Sequence, residues 1–496
     1  MFKTLKFEVY SEGTLADKFS LDGAYLFGAD GIPFRGMTRV SFEKGIITCQ
    51  KKNSDAGGLA IMWPIKGFGK IMLQTTRLPE KDAPYNLNIE LARAKLMEIA
   101  LKREDWSFLD ESSDKIKNIK DLFVDALENI DNGPIASVIA DECLRKAMVV
   151  AELLAAKNAE VFLKAKIKAG SFARHCIGCQ LDPSKVDDNG YMSKITESFG
   201  FISIPVRWAD VEPAEDDFKF EELDKCFNAI AGKKIAISIG PVLSFDKKNL
   251  PQWLICGKGG FPQIRDRAYK FVNEVVGRYS PKVHAWKVLG GMNANNYFGF
   301  NFEQILEISR AAVMAARAVD TRSLKIIDVI FPWGEYYACT ADTIPPLVYL
   351  DMIMQSGINP DAVGLQIRFG ANQYGMHLRD MMQVSAMLDR FAPLTKPLHI
   401  TAVEIPGGAA LDEKGNQING CGIWRDKWSD EIQGKWIEQF YKIVLGKSFI
   451  STVTYASFAD KDGHELANSG LLTDKLKSKN GFEVLKKLQK FIVSAK

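Results

Sequence analysis

The chain has no apolar run approaching the ~20 residues that a membrane-spanning helix needs, and no excess of either charge. Its 64 Lys and Arg are set against 61 Asp and Glu, interspersed, for a formal net charge of +3. That argues against both a membrane partner and the basic footprint of a nucleic-acid binder. Histidine is scarce, at five residues, and the eight cysteines are scattered (Cys49, Cys143, Cys176, Cys179, Cys226, Cys256, Cys339, Cys421). Such spacing suits reduced thiols in a large chain rather than a disulfide framework. Only Cys176 and Cys179 are close, in His175-Cys-Ile-Gly-Cys179. No second ligand pair stands at zinc-like spacing, so two packing thiols are expected, and neither a metal nor a cofactor is implied. The N-terminus, Met-Phe-Lys-Thr-Leu-Lys-Phe-Glu-Val-Tyr, lacks the uninterrupted apolar segment and small-residue cleavage site of a secretory signal. A cytoplasmic protein is the expectation. Low-complexity segments and fine internal repeats are missing too.

What is present is an ordinary globular composition, 47% hydrophobic and 25% charged, over 496 residues. That is enough for one domain of barrel size and a smaller one. Residues 1–80 read as β-rich, because short runs such as Gly58-Leu-Ala-Ile-Met-Trp63 are set off by Gly and Asn-Ser-Asp punctuation. They suit a glycan-binding accessory module or, on balance, a structural cap on the main domain. Residues 81–169 change to helical spacing and read as a connector. Asn132-Gly-Pro134 breaks the chain before Ile135–Lys168, an Ala-rich amphipathic run that is either two helices or one unusually long one. Its stripe suits packing within the chain, with a homo-oligomer surface as the alternative. From 170 to 496 strand-like and helical runs alternate. Eight strands are expected, at Phe172–Ile177, Phe201–Val206, Lys234–Ile239, His284–Leu289, Leu324–Ile330, Ala362–Ile367, Leu398–Val403 and Ile450–Tyr455. Eight β-α units closing on one another make a (β/α)8 TIM barrel, an α/β fold whose chemistry sits at the C-terminal strand ends.

Several of these stretches carry a resemblance, in a fixed order along the barrel. They are Pro205-Val-Arg-Trp-Ala-Asp-Val-Glu-Pro213 with Asp217-Phe-Lys-Phe-Glu-Glu-Leu-Asp224, then Leu250-Pro-Gln-Trp-Leu254, Gly364-Leu-Gln366, Lys396-Pro-Leu-His-Ile-Thr401 and Gly470-Leu-Leu-Thr-Asp474. Together they resemble glycoside hydrolase family 10, the endo-β-1,4-xylanases. The resemblance implies a β-linked glycan of xylan type as ligand and hydrolysis of O-glycosidic bonds by two glutamates. The departures fall on that chemistry. Where the family's strand four reads Trp-Asp-Val-Val-Asn-Glu, this chain has Trp286-Lys-Val-Leu-Gly-Gly291, and the nucleophile's place after Ile-Thr is Ala402. The family's histidines after strand three and in strand six fall on Pro241 and Arg368, its sugar-binding Glu-Asn on Ser203 and Ile204, and its strand-eight Trp on Ala456.

A substitute pair of carboxylates has to converge over the mouth, about 5–5.5 Å apart for retention or about 6.5–9.5 Å for inversion. Glu404 lies two residues beyond Ala402 on the same side of the strand, and Glu335 comes after strand five in Phe331-Pro-Trp-Gly-Glu-Tyr-Tyr337. They are the candidate catalytic pair, Glu404 as nucleophile or base and Glu335 as acid. The bland alternatives are a loop-holding ion pair for Glu404 and a solvated residue for Glu335. Arg207, Asn293 and Arg368 are candidates for orienting hydroxyls. Trp208, Tyr297, Trp333, Trp424 and Trp428 are candidate stacking partners for sugar rings, Trp208 being also the one best suited to the core. Two functions stay open: an active glycoside hydrolase with relocated carboxylates, and an inactive sugar-binding or scaffold protein.

Overall fold

Runs of aliphatic residues bounded by Gly, Pro or charge are what make parallel strands buried on both faces. In the computed structural model, which describes residues 3–36, 39–52, 55–106, 113–172, 175–371, 373–409, 422–461 and 466–494, eight such runs close into a barrel. They are Ile177–Gln180, Phe201–Ile204, Ala236–Ile239, Ala285–Gly290, Leu324–Ile330, Ala362–Arg368, Leu398–Glu404 and Ile450–Tyr455, each parallel to its neighbours, with the eighth pairing back to the first. The expected (β/α)8 barrel is therefore the fold. Outer helices such as Phe261–Tyr279 bury one stripe (Ile264, Ala268, Phe271, Val272, Val275, Val276) against the strands. Strand one begins at Ile177 rather than Phe172; residues 173–174 of the expected strand, and Cys421, lie outside the described residues.

The N-terminal β-rich module has two four-stranded sheets and a two-stranded hairpin, Tyr10–Ser11 with Thr14–Leu15. One has the order Arg39–Glu43, Ile46–Lys51, Lys3–Glu8, Tyr85–Asn86. The other runs Tyr25–Phe27, Gly58–Ile65, Gly69–Gln74 and then Ile423–Trp424, which comes from the segment after barrel strand seven. Gly69 makes this junction: its φ is 131°, and a Cβ there would come within 2.0 Å of the Ile423 carbonyl oxygen. The module is thus hydrogen-bonded into the barrel.

Three helices come next, α1 (Leu87–Trp106), α2 (Ser113–Glu128) and α3 (Gly133–Lys168). The Ala-rich run is a single helix, capped by Asn132 and led by Pro134. At 1.5 Å per residue it is about 54 Å long. Ala140, Leu144, Ala147, Ala151, Leu154 and Ala155 on it are buried, while Val149, Leu153, Val161 and Phe162 stay exposed. Buried charges tie these helices to the segment after barrel strand six. Lys95 Nζ lies 2.7 Å from Asp380 Oδ2 and is also paired with Glu98. Glu152 Oε1 accepts from Met381 N at 2.9 Å, and burial, reinforced by Asp380, pushes this carboxyl up to about 7.

Candidate functional site

The C-terminal ends of the barrel strands open on a cavity of about 250 Å³. Strand four supplies Lys287 and Gly290, with Gly291 just past its end, strand six Gln366 and Arg368, and strand seven Thr401 and Ala402. The loops after strands three, four and five add Ser244, Asp246, Lys248, Asn295 and Phe331. Both positions where the resemblance expects a glutamate, Gly291 and Ala402, therefore line one cavity. Asp246 is the one acidic side chain among its described lining residues.

Strand four cannot take its missing glutamate back as it stands. Gly291 has a φ of 71°, and a Cβ there would meet Asn295 Nδ2 at 2.9 Å and Ile330 Cδ1 at 3.3 Å. A side chain would have to bear the left-handed backbone and displace both neighbours.

The two candidate carboxylates do not share this cavity. Glu404, at the end of strand seven, is 13% exposed; its Oε1 accepts from Ser469 Oγ at 2.8 Å and its Oε2 lies 3.5 Å from Arg368 Nε. The bland alternative, a carboxylate holding loops in place, describes these contacts. Glu335 is 0% exposed, which corrects the expectation of either a catalytic or a solvated residue. Its Oε2 accepts from Gly375 N at 2.8 Å and faces His377 Nδ1 at 2.9 Å, and its Oε1 is paired with Arg379. Arg379 in turn donates to the Tyr25 hydroxyl of the N-terminal module at 3.2 Å. Burial would raise the Glu335 carboxyl, but Arg379 and His377 more than offset it and hold it down at about 2. A carboxyl ionised at all ordinary pH and walled off from the mouth has no proton to donate as an acid.

The other candidates divide in the same way. Arg368 lines the mouth, 30% exposed. Arg207 instead turns outward to Asp210, its Nε donating to Oδ2 at 2.6 Å. Asn293 is buried and splices strand four to strand five: its Nδ2 donates to the Ile330 carbonyl at 2.8 Å and its Oδ1 accepts from Ile330 N at 3.2 Å. Trp208 is in the core, stacked on Phe271 at 4.8 Å, with its Nε1 donating to Glu212 Oε2 at 2.7 Å. Trp424 is buried in the strand that joins the module's sheet, and Trp428 is half-buried against the core. Trp333, half-buried beneath the Arg379 guanidinium, lines a second cavity of about 390 Å³ between the module, α1 and the barrel. Tyr297 alone of the five aromatics is well exposed, at 41%, on the loop after strand four. Position just beyond a strand end points these aromatics at the mouth; the barrel's own helices take Trp208 as packing and the module takes Trp424.

Sequence reasoning passes over Lys287. Lys287 is 3% exposed, lines the mouth and donates to Ser203 Oγ at 2.9 Å. Burial lowers its ammonium to about 8, with Asp328 opposing and Arg368 adding to the shift. Asp328 is buried on strand five, where its Oδ1 accepts from Thr401 Oγ1 at 2.5 Å and its Oδ2 from Gln366 Nε2 at 2.7 Å. Burial raises its carboxyl despite Lys287 and these donors. The available signal is a lysine inside the apolar run Trp286-Lys-Val-Leu, since lysine is rarely buried without a reason. Among the described residues no group of three or more His, Cys, Asp and Glu is placed to hold a metal ion.

Comparison with known proteins agrees with this geometry. The sequence model of Glycosyl hydrolase family 10 matches residues 165–486. An endo-1,4-beta-xylanase/feruloyl esterase of Xylanibacter ruminicola is 20% identical over 342 residues, covering 62% of this chain and 45% of that protein. The match thus spans under half of that relative's length. Among solved structures, native xylanase 10B from Thermotoga maritima superposes with a TM-score of 0.51 at 15% identity, covering 67% of this chain and 98% of its own. Xylanase 10B from Thermotoga petrophila RKU-1 in complex with xylobiose gives 0.50 at 15% identity, covering 66% and 97%. At these identities the structural likeness is one of fold.

Proposed function

Because this chain belongs to glycosyl hydrolase family 10, we propose that it is a carbohydrate-active protein whose barrel mouth holds a β-linked oligosaccharide, xylan type by kinship, without cleaving it by a pair of glutamates. One observation carries the second half of this reading. The described lining of the mouth includes Gly291 and Ala402 at the two expected carboxylate positions and only Asp246 as an acid. Glycoside hydrolysis needs two carboxyls converging on one bond, and a single one cannot act as both acid and nucleophile or base. Gln366, Arg368, Asn295 and Gln180 remain in the lining, amide and guanidinium groups suited to sugar hydroxyls. Of the residues that the sequence nominates for ligand contact, we retain Arg368 and Tyr297. We also propose a reducing compartment: no disulfide joins the seven described cysteines, and no described helix is long and apolar enough to cross a membrane.

The test is release of reducing ends from β-1,4-linked oligosaccharides, run beside thermal unfolding with the same panel. The expected result is no release, with at least one oligosaccharide raising the melting temperature. Release that disappears in Glu404→Gln would show instead that the carboxylate function has moved two residues along strand seven.

A further inference from the structure

The charge that faces the mouth is opposite to the charge that glycoside cleavage calls for. Of the charged side chains in the described lining, Asp246 and Lys248 lie on one loop and approach each other at 3.5 Å, so they largely cancel. Lys287 and Arg368 remain. The carboxylates nearest to them stand behind the cavity wall rather than in it. Glu404 holds Arg368 from the side of Ser469, and Asp328 has one oxygen taken by Thr401 and the other by Gln366.

Lys287 is the informative residue. A buried ammonium has three protons to place, yet its hydrogen bond among the described residues is one donation to a neutral hydroxyl, Ser203 Oγ. No described carboxylate stands within the 4.0 Å of an ion pair. Keeping a buried ammonium without an ion pair costs free energy, and lysine on a central barrel strand is not needed for packing, which an aliphatic residue would do better. The lowered ammonium fits the same picture: burial is the main cause and Arg368 adds to it, against the opposing charge of Asp328. An oxocarbenium-like transition state would be repelled here, whereas an anion would satisfy the free protons of Lys287 and the open face of Arg368 together.

We infer that the mouth selects a glycan bearing an anionic group, a uronate carboxylate or a sulfate ester, engaged by Lys287 and Arg368. This rests on the mouth being the glycan site proposed above. The group identified is the oxyanion; which acid carries it is decided by experiment.

The experiment is titration calorimetry of the full chain with three oligosaccharides of equal length: a neutral xylo-oligosaccharide, a glucuronate-substituted one and a sulfated one. At least one acidic ligand is expected to bind about tenfold or more tightly than the neutral one, the scale of one charge-assisted hydrogen-bond set. Preference for the glucuronate alone, or for the sulfate alone, names the source. In Lys287→Met the preference should collapse towards unity, while Lys287→Arg keeps much of it. Raising the salt from about 0.05 to about 0.5 M should shrink the preference in the unaltered chain, a readout independent of whether either variant folds. Equal binding of neutral and acidic ligands overturns this inference and leaves the glycan reading standing, as does an acidic preference untouched in folded Lys287→Met. Failure of every oligosaccharide, neutral or acidic, to bind overturns both.

Discussion

At the scale of single residues, this chain shows how a carboxylate that looks catalytic in sequence becomes architectural in three dimensions. Glu335 sits among aromatic residues just past a strand end, the address of many active-site acids, but it meets Arg379, His377 and the Gly375 amide, all from one segment after strand six. Removing its charge strands a buried guanidinium. Glu335→Gln is therefore expected to lose roughly 3–5 kcal/mol of stability at pH 7, the cost of breaking one half of a buried ion pair, read from urea unfolding. The sign with pH is set by the folded carboxyl standing at about 2, below its unfolded value of about 4.3. The stabilisation is fully present above the unfolded value and is lost as the pH falls towards 2, so the gap between wild type and variant narrows in acid. A gap that stays constant from pH 7 to pH 3 would mean that Arg379 and His377 do not hold the carboxyl below its unfolded value.

At the scale of elements, the segment after strand seven carries the information that the sequence conceals. The barrel strands are legible because buried parallel strands are apolar runs of fixed length: Leu324–Ile330 and Ile450–Tyr455 have the expected bounds, and the others differ at their ends. Strand one lies further along than expected because only Ile177-Gly-Cys-Gln180 pairs, a run too short and too mixed for its edges to show. Departures at Gly291 and Ala402 are legible because the resemblance says which positions should carry a glutamate. The partner of Ile423–Trp424 is not, since a two-residue strand has no periodicity and its mate lies some 350 residues earlier, at Gly69 and Lys70. Trp424 resembles a sugar platform in sequence for the same reason. Lys287 is obscured because its role depends on how strands four to seven close around one point. The junction itself is testable. Gly69→Ala puts a Cβ where the Ile423 carbonyl oxygen now lies, 2.0 Å away, at a φ of 131°. The strand pair should open, and limited proteolysis should cut the variant near residues 422–428 much faster than wild type. Equal cutting would mean that the segment is held by other contacts.

At the scale of the whole molecule, the question is whether the β-rich module is an appended part or a piece of the barrel's own structure. One continuous set of buried side chains runs from Leu5, Ile61 and Trp63 in the module through Leu91, Leu144 and Leu154 in the connector to Leu388, Trp436 and Phe440 on the barrel's outer helices. The Tyr25–Arg379–Glu335 and Lys95–Asp380 contacts cross the same seam, and Met72 N donates to the Leu378 carbonyl at 2.8 Å. A core continuous across the seam, with buried ion pairs crossing it, couples the two parts, so they should not melt independently. Calorimetry of the full chain is expected to give one cooperative transition. A fragment of residues 170–496 would expose the outer faces of the helices Met381–Asp389 and Asp430–Gly446, which α3 now covers, and would leave Asp380 without Lys95. That fragment should aggregate or unfold non-cooperatively, in contrast to a barrel domain with a complete surface of its own. Two resolved transitions in the full chain, or a soluble, sharply melting fragment, would show instead that the module is an accessory part, and would return the second cavity beside Trp333 to consideration as a surface that opens when the module moves.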